Sequence, residues 1–554
     1  MPTPRRTPLR PALALVAVLA LGLSACSGSD GSDSSGHEAT FDTDTTTTPA
    51  ATGPVDSFTW YGDYRSPATL DPIKVADYPE LTVIPNLCES LLDTGPGYEP
   101  RPGLASAWEQ VDPRTVRFTL RADVTFSDGS PMTREDVLFS LRRNLDPALA
   151  SSYSILYQGV AAIEPYGTDQ VEVTFTEPNA VFLKGMNTLG GAVISKAFAE
   201  AHPDDLGTPG TGVLCTGPYV LDSWDGVGPL TLERSPQYWN SEREPLAEQV
   251  RFEFPAEAKA LANAIRTGAV DGGFNIPAEV IPSLRETGSG ELWLGAEGST
   301  PQNLDIIVSD LKKGPLADAA VRRALSGAVD REALVRTAFA GAADPLYAVA
   351  GPGLWGYAQE RYRAAYDEIE KAATGAATDG RAAVEQAGVS GTGLTLAYPG
   401  GIEMYRTTAT VVQQAAKELG LEMEIVALPL AQYYSLFSDA SVRADYDAFL
   451  TMNYTQVQEP AFMYGFIGNK DGSQNYGGYD NPEVDRLLRE AFGEPDDDAR
   501  AELVIAAQAI LSEELPWIPL VAPRAAVYLD EAVTGVPLTF AYMGTAWAAS
   551  VGAP

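Results

Sequence analysis

Histidine is almost missing from this 554-residue chain; there are two, His37 and His202. Any catalytic group of the Ser-His-Asp or Cys-His kind would have to be built on one of them. His37 lies in a stretch of Ser, Gly, Asp and Thr and carries no role. His202 sits in the polar, loop-like Ala201–Asp205 and reads as solvated. Cysteine is nearly as scarce, at three residues, and none is placed with zinc-ligand spacing. With so few soft ligands a bare soft metal ion is not expected as metal or ligand. There is no Gly-rich phosphate loop with its lysine and no dinucleotide fingerprint, so no cofactor is expected. Basic residues number 38 against 74 acidic ones, a formal charge of −36 that repels nucleic acid. Carboxylates are abundant, but nothing in the sequence singles out a glycosidase pair. These absences favour a binding protein; a secreted hydrolase is the alternative from another class.

No apolar run reaches the roughly 20 residues that span a bilayer. Pro11–Leu23 is the nearest, behind Arg5, Arg6 and Arg10, and has the shape of a signal-peptide h-region. Leu23-Ser24-Ala25-Cys26 follows and resembles the bacterial lipobox, which implies cleavage before Cys26 and lipid on that cysteine. Residues 1–25 are then a signal peptide, and the protein is held on the outer face of the cell membrane. Arg5-Arg6 leaves Sec and twin-arginine export both open. Residues 26–54 read as a flexible tether, too polar to offset the entropy of ordering. In an exported protein the two remaining cysteines, Cys88 and Cys215, form either one disulfide or two buried thiols.

The rest is too long for one core. Thr115–Leu120 and Gln170–Phe175 alternate as half-buried strands do. Ser127–Pro131 is a turn, and Thr133 with Asp136 forms a capping box for the helix that follows. Ala317–Phe339 carries apolar residues at helical spacing. Tyr405–Leu419 is a helix stopped by Gly420, and Asn481-Pro482 opens another. Strands at Glu422–Val426 and Asp447–Leu450 lie between helices, which implies an α/β domain with a partly parallel sheet.

Several segments then match a known family in order. Leu104-Ala105-Ser106-Ala107-Trp108-Glu109, Phe118-x-Leu120-Arg121 through Asp128-Gly129-x-Pro131 to Asp136-Val137, Cys215-Thr216-Gly217-Pro218-Tyr219, Glu233-Arg234 with Tyr238-Trp239, and Val321-Arg322 through Asp330-Arg331 resemble signatures of the extracellular solute-binding proteins of family 5. Those proteins serve ABC importers of peptides, nickel and related solutes. The resemblance implies a two-lobed α/β periplasmic-binding-protein fold (type II, cluster C) with an extra subdomain in lobe I. Carried onto this chain, lobe I is 55–83, 211–300 and 519–554, the inserted subdomain is 84–210, and lobe II is 301–518. It implies no enzyme activity, and a monomer that passes a peptide or peptide-like organic solute to ABC permease subunits. A sensor or scavenger without a transporter is the alternative within the fold.

The resemblance also points to site residues. Arg406, one turn into its helix, falls where the dipeptide-binding branch holds the ligand carboxylate; otherwise it is a surface arginine. In Met452–Pro460, Gln456 stands where peptide binders have the aspartate that holds the ligand ammonium, and Glu459-Pro460 replaces Asp-Pro. A neutral amide gives no charge-assisted bond, so unblocked peptides are expected to bind poorly unless another carboxylate, such as Glu403, serves. Asn453, Tyr454 and Gln456 remain candidates for neutral hydrogen bonds. Tyr61 and Trp355, with Trp60 and Tyr357, are candidate aromatic contacts or core packing; Tyr476 and Tyr479 are weaker ones.

Overall fold

The computed structural model describes residues 45–554 apart from 288–289 and 377–378. The segment expected as a signal peptide, Cys26 and His37 lie outside the described residues. Three large sheets organise the described residues. The first has seven strands, ordered Glu291–Leu294, Ala526–Leu529, Gly272–Gly273, Val55–Tyr61, Ala247–Glu253, Leu230–Arg234 and Tyr219–Trp224. Val55–Tyr61 runs parallel to both its neighbours. The second has six: Ala343–Pro345, Trp517–Pro523, Asn303–Val308, Ala448–Asn453, Gly393–Pro399 and Glu422–Leu428. Here Gly393–Pro399 is parallel to Glu422–Leu428 and to Ala448–Asn453.

Asn303–Val308 is buried along its whole length because helices cover both faces of its sheet. Leu304, Ile306 and Val308 face a core with the helices Ala319–Ala328, Arg331–Ala338 and Glu403–Glu418. Ile307 faces the opposite core, which includes Tyr362, Tyr464 and Val504. The third sheet is antiparallel, ordered Ala105–Asp112, Thr115–Leu120, Gln170–Phe175 and Val160–Tyr166. Its alternating strands bury Val116, Phe118, Val171 and Val173. Residues Val137, Leu138 and Leu141 of the helix Arg134–Arg143 join the same core. Both halves of the Thr133–Asp136 capping box are made. Cys88 and Cys215 are joined by a disulfide, which ties the start of this third unit to the strand region that follows it.

Some boundaries differ from those read in the sequence. Ala317–Phe339 is two helices, because Asp330 leaves the helical path and caps the second by accepting from the Ala333 N–H. Trp517–Pro523 pairs entirely with the second sheet, so the return to the first begins after Pro523 rather than at 519. Residues 45–54, expected as the end of a flexible tether, are docked on the C-terminal segment. Thr48 is buried there, its Oγ1 accepting from the N–H groups of Gly535 and Val536 at 3.0 and 2.9 Å, and Gly53 bridges Ala553. A sequence reading of tether from polarity missed these backbone-rich contacts.

Candidate functional site

In sheets with parallel strands, ligands gather at the carboxyl ends, where connections diverge. The first sheet ends there at Tyr61, Glu253 and Gly273, and the second at Pro399, Leu428 and Asn453. These two edges face each other. Tyr78, near the first edge, stacks on Tyr454, just beyond the second, with ring centroids 4.7 Å apart at 27°. The Tyr454 hydroxyl donates to the Ala76 carbonyl, and the Met404 N–H donates to Glu279 at 3.0 Å. The chain crosses between the sheets twice, from Leu294 to Asn303 and from Pro523 to Ala526. Two sheet-centred lobes joined by two short crossings can hinge.

Beside this contact is a cavity of about 930 Å³. One wall comes from Tyr98, Glu99, Glu297 and Phe540, the other from Trp355, the helix Gln359–Ala376, Gln456 and Gln458; Lys184 and Asn187 of the third unit complete it. Its size and mixed lining suit a small organic molecule. Lys184 and Arg363 are both held by carboxylates, Lys184 by Glu459 at 3.3 Å and Arg363 by Glu297 at 2.8 Å. The amide nitrogen of Gln458 and the amide oxygen of Asn187 are buried without a partner among the described residues. Those two atoms leave hydrogen-bonding capacity at the cavity wall.

The sequence-derived residues divide. Gln456 and Trp355 line the cavity. The Gln456 amide bonds the Tyr153 hydroxyl at 3.1–3.2 Å, and the Trp355 Nε1–H donates to Ala350 O at 3.0 Å. Asn453 is on the cleft edge but donates to Gln474 at 3.0 Å, and Tyr454 forms the interlobe stack. Arg406 is exposed on its helix and bound to Glu403, its Nε donating to Oε2 at 2.8 Å. Both partners of that pair are therefore engaged locally, Glu403 as well as Arg406, whose side chains are more than half exposed. Tyr61 packs with Leu261, Ile265 and Val280 in the core of the first lobe, and Trp60 is fully buried against Trp547. Tyr357 donates to Glu459 at 2.7 Å. Tyr476 stacks on Trp517 and Tyr479 is buried, both away from the cavity lining. His202 is on the surface beside Asp205, at 3.2 Å. Among the described residues no group of three or more His, Cys, Asp or Glu is placed to hold a metal.

Sequence reasoning missed Lys184, Gln458 and the cavity wall of the helix Gln359–Ala376, none of which has a local signature. It also missed Asp63. This residue follows the first strand at the cleft edge, is 7% exposed, and has the left-handed φ of 80°. Its carboxylate accepts from the Tyr64 N–H at 2.9 Å and from Asn275 Nδ2 at 3.0 Å. Burial is the largest influence on it and pushes its pKa up to about 7, against the lowering effect of those hydrogen bonds.

Comparison with known proteins agrees with this architecture. Residues 99–475 match the model of the bacterial extracellular solute-binding proteins, family 5, middle region. The periplasmic oligopeptide-binding protein OppA of Escherichia coli K12 is 25% identical over 492 residues, covering 82% of this chain and 84% of OppA. The glutathione-binding protein GsiB of the same strain is 25% identical over 487 residues, covering 84% and 89%. Among solved structures, AgaA of A. tumefaciens R10 in complex with agropinic acid superposes with a TM-score of 0.73 at 20% identity, covering 90% of this chain and 99% of AgaA. DppA of Helicobacter pylori in complex with the peptide STSA gives 0.74 at 19% identity, covering 90% and 98%.

Proposed function

The chain belongs to the bacterial extracellular solute-binding proteins of family 5, a family of binding proteins rather than enzymes, and on that premise we propose that it is the lipid-anchored binding subunit of an ABC importer. It captures a peptide or peptide-like organic solute between its lobes and delivers it to permease subunits. The observation that carries this is the pair of opposed carboxyl edges, bridged by Tyr78 and Tyr454, with a cavity of about 930 Å³ beside them. Solute contacts made only when the lobes meet would shift the population toward the closed form. Relatives and neighbours that bind oligopeptides, glutathione, agropinic acid and the peptide STSA support this class of solute.

Anchoring is proposed at Cys26. Among the described residues no helix is long and apolar enough to cross a membrane. Cys26→Ser is expected to release the protein from the membrane fraction. Mass spectrometry of solute freed from purified protein by gentle denaturation tests the function itself. One small peptide-like or organic species per chain is expected; repeated failure to recover or rebind any such solute would sink the reading.

A further inference from the structure

We propose that Asp63 is the cation anchor of the cleft, its carboxylate taking the ammonium or other cationic nitrogen of the bound solute in place of the carboxylate that Gln456 does not supply. The proposal rests on the solute-binding reading above and names the charge of its ligand.

Asp63 occupies the place where a ligand group is expected, at the carboxyl end of the central parallel strand of the first lobe. It is buried, and among the described residues the donors to its carboxylate are two neutral groups, the Tyr64 N–H and Asn275 Nδ2. An ionised carboxylate has about four lone-pair sites and, when buried, is normally paired with a cation. The cation nearest along the chain is already used: Arg65 is bound at 2.6 Å to both Asp77 and Glu80. Glu403 is exposed and holds Arg406, while Glu99 and Glu297 of the cavity wall are paired with Arg101 and Arg363.

The surroundings suit a cation. The hydroxyls of Tyr61, Tyr78 and Tyr542 lie near enough for the Asp63 charge to help raise their pKa values, beyond the larger effect of burial. Tyrosine rings around a carboxylate offer both hydrogen-bond acceptors and cation–π faces. Tyr78 is the ring that stacks on Tyr454 of the second lobe, so an occupant of this site would touch the interlobe contact directly. Asn275, which orients the carboxylate and also donates to the Tyr542 hydroxyl at 2.8 Å, has a left-handed φ of 50°. Asp and Asn tolerate this left-handed region better than other side chains do, which lets the chain turn at both positions.

The groups facing Asp63 are Tyr61, Tyr64, Arg65, Asp77, Tyr78 and Tyr542. Burial raises the tyrosines, Arg65 is raised by Glu80 and Asp77 against the lowering effect of burial, and the Asp63 carboxyl, pushed up to about 7, changes charge near neutrality. Binding of a cation should therefore weaken as pH falls below about 7. This reverses the expectation drawn from Gln456, because the ammonium site has moved to the opposite lobe.

The test is calorimetry on the purified, solute-free protein with two probes: a pool of tri- to pentapeptides of Gly, Ala and Ser with free amino ends, and the same pool N-acetylated. The free-amine pool is expected to bind at least about tenfold tighter at pH 7.5, and to lose up to about tenfold per pH unit below 7. Asp63→Asn keeps a residue that tolerates positive φ and should erase both effects. Equal or tighter binding of the acetylated pool overturns the anchor and leaves the solute-binding reading intact. So does an Asp63→Asn protein, folded by circular dichroism, that keeps the preference and the pH slope. The wild-type comparison decides the matter even where that variant fails to fold. Binding of neither pool removes the peptide-like reading, and the anchor with it.

Discussion

The ammonium of Lys184 stands 3.3 Å from the Glu459 carboxylate, joining the third, antiparallel unit to the Glu-Pro turn of the second lobe. Lys184 also lies 3.9 Å over the Tyr357 ring, and the Arg500 guanidinium lies 4.1 Å from the same ring. Glu459 is fully buried and keeps Arg500, the Tyr357 hydroxyl and the Ala461 N–H as partners without Lys184. Removing the lysine should thus loosen closure without unfolding the lobe. Lys184→Met is expected to weaken solute binding about 3- to 10-fold, near 1 kcal/mol after solvent damping, mainly through faster dissociation. Stopped-flow tryptophan fluorescence measures it. Burial lowers the Lys184 pKa from 10.5, so the wild-type protein should lose this contact at lower alkaline pH than an ordinary lysine pair would.

Asp305 gives a pH dependence of stability. It is fully buried in the strand Asn303–Val308; Asn303 donates to its Oδ2 at 2.6 Å, and its Oδ1 is without a partner among the described residues. Burial raises its pKa well above the ordinary 3.8. The folded state then holds this proton when the unfolded chain has released it. Its contribution is full below 3.8 and is lost as pH rises toward the folded value. The melting temperature is expected to fall between pH 5 and 8. Asp305→Asn should remove part of that slope, with the raised carboxyls of Asp63, Glu89 and Asp271 also contributing. Scanning calorimetry across the pH series checks it, and a variant with the wild-type slope contradicts it.

The Cys88–Cys215 disulfide spans 127 residues of sequence. Closing so long a loop restricts the unfolded chain, and the double Cys→Ser variant is expected to lose about 2–5 kcal/mol. Denaturant titration with and without reductant measures the loss.

Thr48 tests the docked N-terminal segment. Its buried hydroxyl serves two backbone donors of the C-terminal segment. Thr48→Val leaves those N–H groups unsatisfied and should cost about 1–3 kcal/mol, read from the same titrations. A neutral result would mean the segment contributes no stability.

What was legible in the sequence was local or ordered along it. The Thr133–Asp136 box, the alternating strands and the Gly420 stop each need only a few neighbouring residues, and the family signatures run in chain order. The site was read less well for physical reasons. The sequence alone leaves Arg406 either a ligand contact or a surface arginine; in the structure Glu403, three residues earlier on the same helix face, binds it locally. Tyr61 looked like a cleft aromatic, but alternation along a strand does not say which face meets the ligand. Asp63 becomes a candidate only when its burial, its neutral hydrogen-bond donors and the engagement of Arg65 by Asp77 and Glu80 are known together. Lys184 reaches Glu459 across 275 positions of sequence, which no spacing rule anticipates.

The central claim is that an organic solute draws the two lobes together across the Tyr78–Tyr454 contact. Small-angle X-ray scattering tests it most directly, on protein stripped of solute and on the same protein after the released solute is returned. A smaller radius of gyration with solute is expected, reversed on stripping again. The same radius in both samples would contradict the claim.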